Sequence, residues 1–237
     1  DVAGLTGMTS LIGGDGADVI TGGSGADFIR GDLGNDVIRG GAGNDSIFGG
    51  AGLDTLSGGS GNNDVLGQGS GQDLLREDVT GTVTLTSTDF ETFNLTWGTG
   101  NSNLLIRHDF IELVGSNNAE DFDLSGFVHG SRNVTVLAGG GNDTVLGSPS
   151  GDVIDGGDGA DFLAGSDGND TITGGAGNDL IRGGRDADTL DGGDDDDTIT
   201  GDPGDDAING GGGDDTVFAG NGRDSIAGGA GNDRLFG

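Results

Sequence analysis

No cysteine occurs among the 237 residues, so neither a disulfide scaffold nor a thiolate metal site is available, although this absence fixes no compartment. Lysine is also missing, and nine basic residues face 41 acidic ones, for a formal charge of −32. Acidity of that degree repels phosphates and anionic lipid, which argues against nucleic-acid and membrane-surface partners. Multivalent cations are the natural counterpart. No apolar run is long enough to cross a bilayer and no signal peptide opens the chain, so membrane insertion is not expected. Apolar residues make up only 31%, thin for a globular core. With 57 glycines, such a composition ordinarily indicates disorder, and the self-repulsion of −32 opposes compaction.

Order in the sequence argues the other way. Aspartate recurs every ninth residue at Asp143, Asp152, Asp161, Asp170, Asp179, Asp188, Asp197, Asp206, Asp215, Asp224 and Asp233. An earlier array carries Asp18, Asp27, Asp36, Asp45 and Asp54, then Asp64 and Asp73 after one extra residue in the turn Gly58-Gly59-Ser60-Gly61-Asn62-Asn63-Asp64. A strict period over so many units means a repeat architecture. Three segments follow: an N-terminal array over 1–76, a β-rich connecting segment over 77–137 and a C-terminal array over 138–237. In the connecting segment Thr82-Val83-Thr84-Leu85-Thr86 and Phe93-Asn94-Leu95-Thr96-Trp97 alternate at period two, which reads as strand. It is expected to be a calcium-free stretch of the same solenoid, with a recognition patch or a small inserted sandwich as alternatives.

Each unit reads Gly-Gly-x-Gly-x-Asp-x-aliphatic-x, as in Gly174-Gly175-Ala176-Gly177-Asn178-Asp179-Leu180-Ile181-Arg182. The glycines permit a tight turn at positive φ, and the three residues after the aspartate suffice only for a short strand. Two turn-strand units make a flattened coil of 18 residues, whose aliphatic residues meet between two parallel sheets. One aliphatic residue in nine cannot offset the entropy of ordering the other eight. Stacked turns, however, bring pairs of carboxylates and several carbonyls together, a hard oxygen cage suited to Ca²⁺ and less to Mg²⁺, which demands a stricter octahedron. Without cysteine, and with only two histidines, no soft-metal site is available.

Units such as Gly40-Gly41-Ala42-Gly43-Asn44-Asp45-Ser46-Ile47-Phe48 and Gly228-Gly229-Ala230-Gly231-Asn232-Asp233-Arg234-Leu235-Phe236 resemble the calcium-binding nonapeptides of the repeats-in-toxin (RTX) family. The resemblance implies an all-β, right-handed parallel β-roll, Ca²⁺ held between successive turns, and export from a Gram-negative bacterium by type I secretion to the cell surface or medium. Departures are Thr9 in place of an aspartate, the disturbed turn at Asn62-Asn63, and Gly147-Ser148-Pro149-Ser150-Gly151-Asp152, which lacks two glycines. With one ion between a turn and the next but one, the two arrays take roughly 14 Ca²⁺, close to neutralising the chain. Binding and folding are therefore expected to be coupled.

At the sixth position calcium ligation is the expected role, whereas Asp195, Asp196, Asp202, Asp205 and Asp214 are expected to be solvated surface charge, and Asp32 turn chemistry only. Neither a His-Glu-x-x-His site, nor a Gly-x-Ser-x-Gly elbow, nor a phosphate loop is present, and no enzymatic activity is expected. The expected function is that of a calcium-triggered secretion, stability or structural module, covalently linked to catalytic or adhesive domains outside the chain. The alternative is a subunit of an extracellular filament, surface layer or adhesive structure, associating end to end. Both ends lie within repeat units, which suits a piece of something longer or a chain built to stack.

Overall fold

In the computed structural model the described residues are 7–60, 62–67, 74–78, 82–87, 92–97, 100–106, 110–127 and 133–237, with the side chains of 62–110 left aside. Among them every regular element is a strand of three to seven residues, and there is no helix. The chain divides into two compact units, residues 1–78 with 84–112 and residues 79–83 with 113–237.

The first unit begins with β1 (Ser10–Asp15), β2 (Val19–Thr21), β3 (Phe28–Leu33), β4 (Val37–Ala42), β5 (Ser46–Ala51), β6 (Thr55–Ser60), β7 (Asn62–Gly67) and β8 (Leu74–Asp78). Odd strands join one sheet and even strands the other. Each nine-residue unit thus delivers one strand to alternate sheets, and 18 residues close a coil. The pairing is parallel with an offset of 18, as in Ile29 opposite Ile47 and Ile20 opposite Ile38. Successive side chains of a strand face opposite ways, so the residue after each Asp-x faces inward. Ile20, Ile29, Ile38 and Ile47 are buried there, whereas Val19 and Phe28, next to Ile20 and Ile29, are exposed.

One part of the register differs from expectation. The extra residue was placed in the turn ahead of Asp64, yet β5 and β7 keep the offset of 18, with Asp64 opposite Ser46 and Val65 opposite Ile47. The offset becomes 19 only where Thr55 meets Leu74 and Leu56 meets Leu75. Val65 thus continues the register of Ile29 and Ile47, the extra residue falls between β7 and β8, and Asp64 stands one place beyond the turn-closing position. Asp73 lies outside the described residues.

The connecting segment contains β9 (Thr82–Ser87), β10 (Thr92–Trp97), β11 (Gly100–Ile106) and β12 (Phe110–Val114). Here the solenoid rule is broken. β10 and β11 pair antiparallel, from Thr92 opposite Leu105 to Trp97 opposite Gly100, while β11 pairs parallel with β7.

The second unit runs from β13 (Asp121–Asp123), β14 (Val134–Gly140) and β15 (Thr144–Leu146) to β16 (Val153–Asp158), β17 (Phe162–Asp167), β18 (Thr171–Ala176), β19 (Leu180–Arg185) and β20 (Thr189–Asp194). It ends with β21 (Thr198–Thr200), β22 (Ala207–Gly212), β23 (Thr216–Phe218), β24 (Ser225–Ala230) and β25 (Arg234–Phe236). Odd and even strands again separate into two sheets. Ile154, Ile172, Leu190, Ile208 and Ile226 form one inward column, and Leu163, Ile181, Ile199, Val217 and Leu235 the other.

Candidate metal centre

The turn-closing aspartates line the two edges of each sheet pair, and those between Asp27 and Asp54 and between Asp143 and Asp215 are buried to within 3% of full enclosure. Among the described residues Asp18, Asp224 and Asp233, at the outermost turns, are half-buried. One carboxylate oxygen has a structural task. The backbone N–H of Asp143 donates to Asp161 Oδ1 (2.7 Å), that of Asp161 to Asp179 Oδ1 (2.8 Å) and that of Asp179 to Asp197 Oδ1 (2.8 Å). On the other edge the N–H of Asp152 donates to Asp170 Oδ1 (2.6 Å) and that of Asp170 to Asp188 Oδ1 (2.9 Å). In the first unit Asp18 donates to Asp36 and Asp36 to Asp54 in the same way. Each aspartate therefore reaches back one coil.

The second oxygen is left over. Oδ2 of Asp18, Asp36, Asp143, Asp161, Asp170, Asp179, Asp188, Asp197, Asp206 and Asp215 is buried without a hydrogen-bond partner. A buried ionised oxygen without a partner is costly, and a column of them more so. Burial, with neighbouring carboxylates adding to it and the N–H bond opposing it, pushes Asp170, Asp188 and Asp197 up to about 7 and Asp143 and Asp179 up to about 6. Asp161, Asp206 and Asp215 move in the same direction for the same first cause.

These oxygens share their space with a backbone carbonyl. A Cβ at Gly174 would lie 2.3 Å from Asp179 Oδ2 and 2.4 Å from the carbonyl oxygen of Gly192, one coil on. Glycine at the first position thus keeps open a place where carboxylate and carbonyl oxygens converge. Among the described residues no three His, Cys, Asp or Glu side chains converge, so a cation here would draw on aspartates together with turn carbonyls. An oxygen-only donor set with orphaned carboxylate oxygens fits Ca²⁺.

Other turns satisfy themselves. At Asp152 the Ser148 N–H and hydroxyl both donate to Oδ2 (2.8 Å each) while the Val134 N–H donates to Oδ1 (2.9 Å). At Asp27 the Thr9 N–H and hydroxyl donate to Oδ1 and the Gly23 N–H to Oδ2. Burial raises the Asp27 carboxyl, but those donors outweigh it and hold the group below the usual carboxylate range. The departures noted at Thr9 and at residues 147–152 are therefore turns in which a hydroxyl reaches the carboxylate.

Sequence reasoning missed one such turn and a second ladder. In Gly115-Ser116-Asn117-Asn118-Ala119-Glu120-Asp121-Phe122, Glu120 takes the sixth position: its N–H donates to Asp143 Oδ1 (2.7 Å), and the Ser116 hydroxyl and N–H donate to its two oxygens (2.7 and 3.1 Å). Glycine five residues before an acid and an apolar residue two after it was the signal. At the fifth position Asp196 Oδ1 accepts the Asp214 N–H (2.7 Å), Asp205 Oδ1 that of Arg223 (2.9 Å) and Asp214 Oδ1 that of Asn232 (2.8 Å). Asn35, Asn142 and Asn169 do the same for Leu53, Ala160 and Ala187. Asp196, Asp205 and Asp214 are thus exposed but bonded, rather than simply solvated. Asp195 and Asp202 likewise carry φ of 77° and 70°, as do Asp32 at 75° and Asp186 at 77°, in places that glycine holds elsewhere. Asp and Asn tolerate this region better than other side chains.

Fold and turns together define a parallel β-solenoid closed by aspartate turns. A model of the RTX calcium-binding nonapeptide repeat matches in overlapping stretches that together span residues 4–65 and 130–237, and the chain belongs to this family. A comparison with curated proteins gives no match. The chain is accordingly a calcium-binding repeat protein, and the family is a structural one. No helix among the described residues is long and apolar enough to cross a membrane.

Proposed function

We propose that this chain is a non-enzymatic, extracellular calcium-binding module whose folding is triggered by Ca²⁺ after secretion, and which serves as the secretion, stability or structural part of a larger exported protein. The column of buried, unpartnered Oδ2 atoms supports this reading best. A polypeptide carrying −32 does not bury a row of carboxylates spontaneously at neutral pH. The sixth-position aspartates other than Asp27, Asp64 and Asp152 would hold Ca²⁺ through Oδ2, with turn carbonyls completing the set; Asp161, Asp170, Asp179, Asp188, Asp197, Asp206 and Asp215 form the most regular run. Bound Ca²⁺ supplies the positive charge that both the site and the whole chain lack. On the repeat count, roughly 14 ions bring about +28.

Conditional folding gives such a module its use. A chain that stays expanded where free Ca²⁺ is scarce and orders where it is abundant remains threadable until it has left the cell. Circular dichroism through a calcium titration tests this. The β signal is expected to appear cooperatively with added Ca²⁺, and a full β spectrum at neutral pH in excess chelator would overturn the reading.

A further inference from the structure

The second unit holds coils built differently from those that follow, and we infer that the described residues of 113–152, namely 113–127 and 133–152, form a calcium-independent folding nucleus on which the calcium-dependent coils stack. This rests on the calcium reading above and adds that the requirement for the ion is not uniform.

Three observations carry it. First, three of the four turn-closing positions in this stretch need no cation. Glu120 has both oxygens engaged by Ser116, Asp152 has Oδ2 engaged by Ser148 and Oδ1 by the Val134 N–H, and Val134, which faces Asp152 through that bond, bears no charge. The fourth, Asp143, has an orphaned Oδ2, but the first residue of its turn is Ala138, with a methyl where the regular turns have glycine. Second, apolar burial is concentrated here. Leu113, Phe122, Leu124, Phe127, Val134, Val136, Ala138 and Val145 are buried among the 35 described residues of 113–127 and 133–152, whereas the 85 residues of 153–237 bury nine. Apolar burial per residue is thus about twice as dense in this stretch, and more of its ordering cost is offset without an ion. Third, this stretch presents a formed strand edge in register with the array: β15 pairs β17, with Val145 opposite Leu163, and β14 pairs β16, with Val136 opposite Ile154. A coil added to an existing edge avoids the cost of nucleation and gains its hydrogen bonds at once, as in other repeat arrays.

The serine hydroxyl thus substitutes for the metal at the root of the array. Hydrogen exchange read by mass spectrometry on the full chain in excess chelator at neutral pH tests the idea. Amides of 113–152 are expected to exchange about tenfold or more slowly than those of 162–237, and Ser148→Ala is expected to erase that difference while leaving the protection of 162–237 in saturating Ca²⁺ intact. Equal exchange of the two segments in chelator overturns the nucleus. If both are fast, calcium-dependent folding still stands; if both are slow, that reading falls as well. A Ser148→Ala chain that keeps the full difference also counts against the assignment.

Discussion

At the scale of one residue, the sixth-position aspartate does two things with its two oxygens. Oδ1 stitches one coil to the next and is satisfied without any metal; Oδ2 is the unsatisfied one, and it sets the demand for a cation. The two roles separate in Asp170→Asn. An amide oxygen still accepts the Asp152 N–H, but the buried negative charge, whose carboxyl is held up near 7 by burial, is gone. In chelator the variant is expected to gain its β signal at a higher pH than the parent on acidification, and in titration to bind less Ca²⁺. A variant that needs a lower pH than the parent to order in chelator would mean that the carboxylate is stabilising without the ion.

At the scale of the strand, the inward column and the outward faces answer to different rules. Ile181 is fully enclosed and stacks between Leu163 and Ile199, while its neighbour Leu180 is 39% exposed. Ile181→Ala is expected to cost about 2–5 kcal/mol in denaturant melts at saturating Ca²⁺, and Leu180→Ala about 0.5 kcal/mol or less; similar losses would contradict the sided packing. That sidedness was legible in the sequence, because the period of nine and the alternation within each strand together dictate which residue points inward. So was the aspartate turn. The antiparallel pair β10–β11 was not, since the period-two alternation of Phe93–Trp97 reads the same whichever way a strand runs, and Gly100–Ile106 shows no alternation at all. The insertion near Asn62 was misplaced for a related reason: glycine spacing suggests where a turn lies, but the pairing of Val65 with Ile47 decides where the extra residue goes. The fifth-position ladder was hidden because an exposed Asn or Asp looks solvated until the N–H one coil away is in view.

For the whole molecule, protons and Ca²⁺ compete for the same carboxylates. Five of them stand at about 6 to 7 in the folded state, against an ordinary value near 3.9 in an unfolded chain. A carboxyl raised on folding contributes stability that is fully present below the unfolded value and is lost as pH rises through the folded one. In chelator, β structure is therefore expected to grow as pH falls from about 8 to about 4, and the Ca²⁺ needed to fold the chain is expected to fall with pH over the same range, since protons then supply part of the neutralisation. Circular dichroism at a series of pH values checks both, and a metal-free β signal that weakens on acidification would contradict the burial of these groups. The 18-residue stitch from each N–H to the aspartate of the following coil also has a mechanical side. Each coil adds only about 4.8 Å to the height of its stack, yet stores a contour of roughly 60 Å. Pulled along the stacking direction, either array would yield one coil at a time and behave less as a strut than as a reel, paying out chain in equal lengths and taking it back wherever Ca²⁺ is at hand.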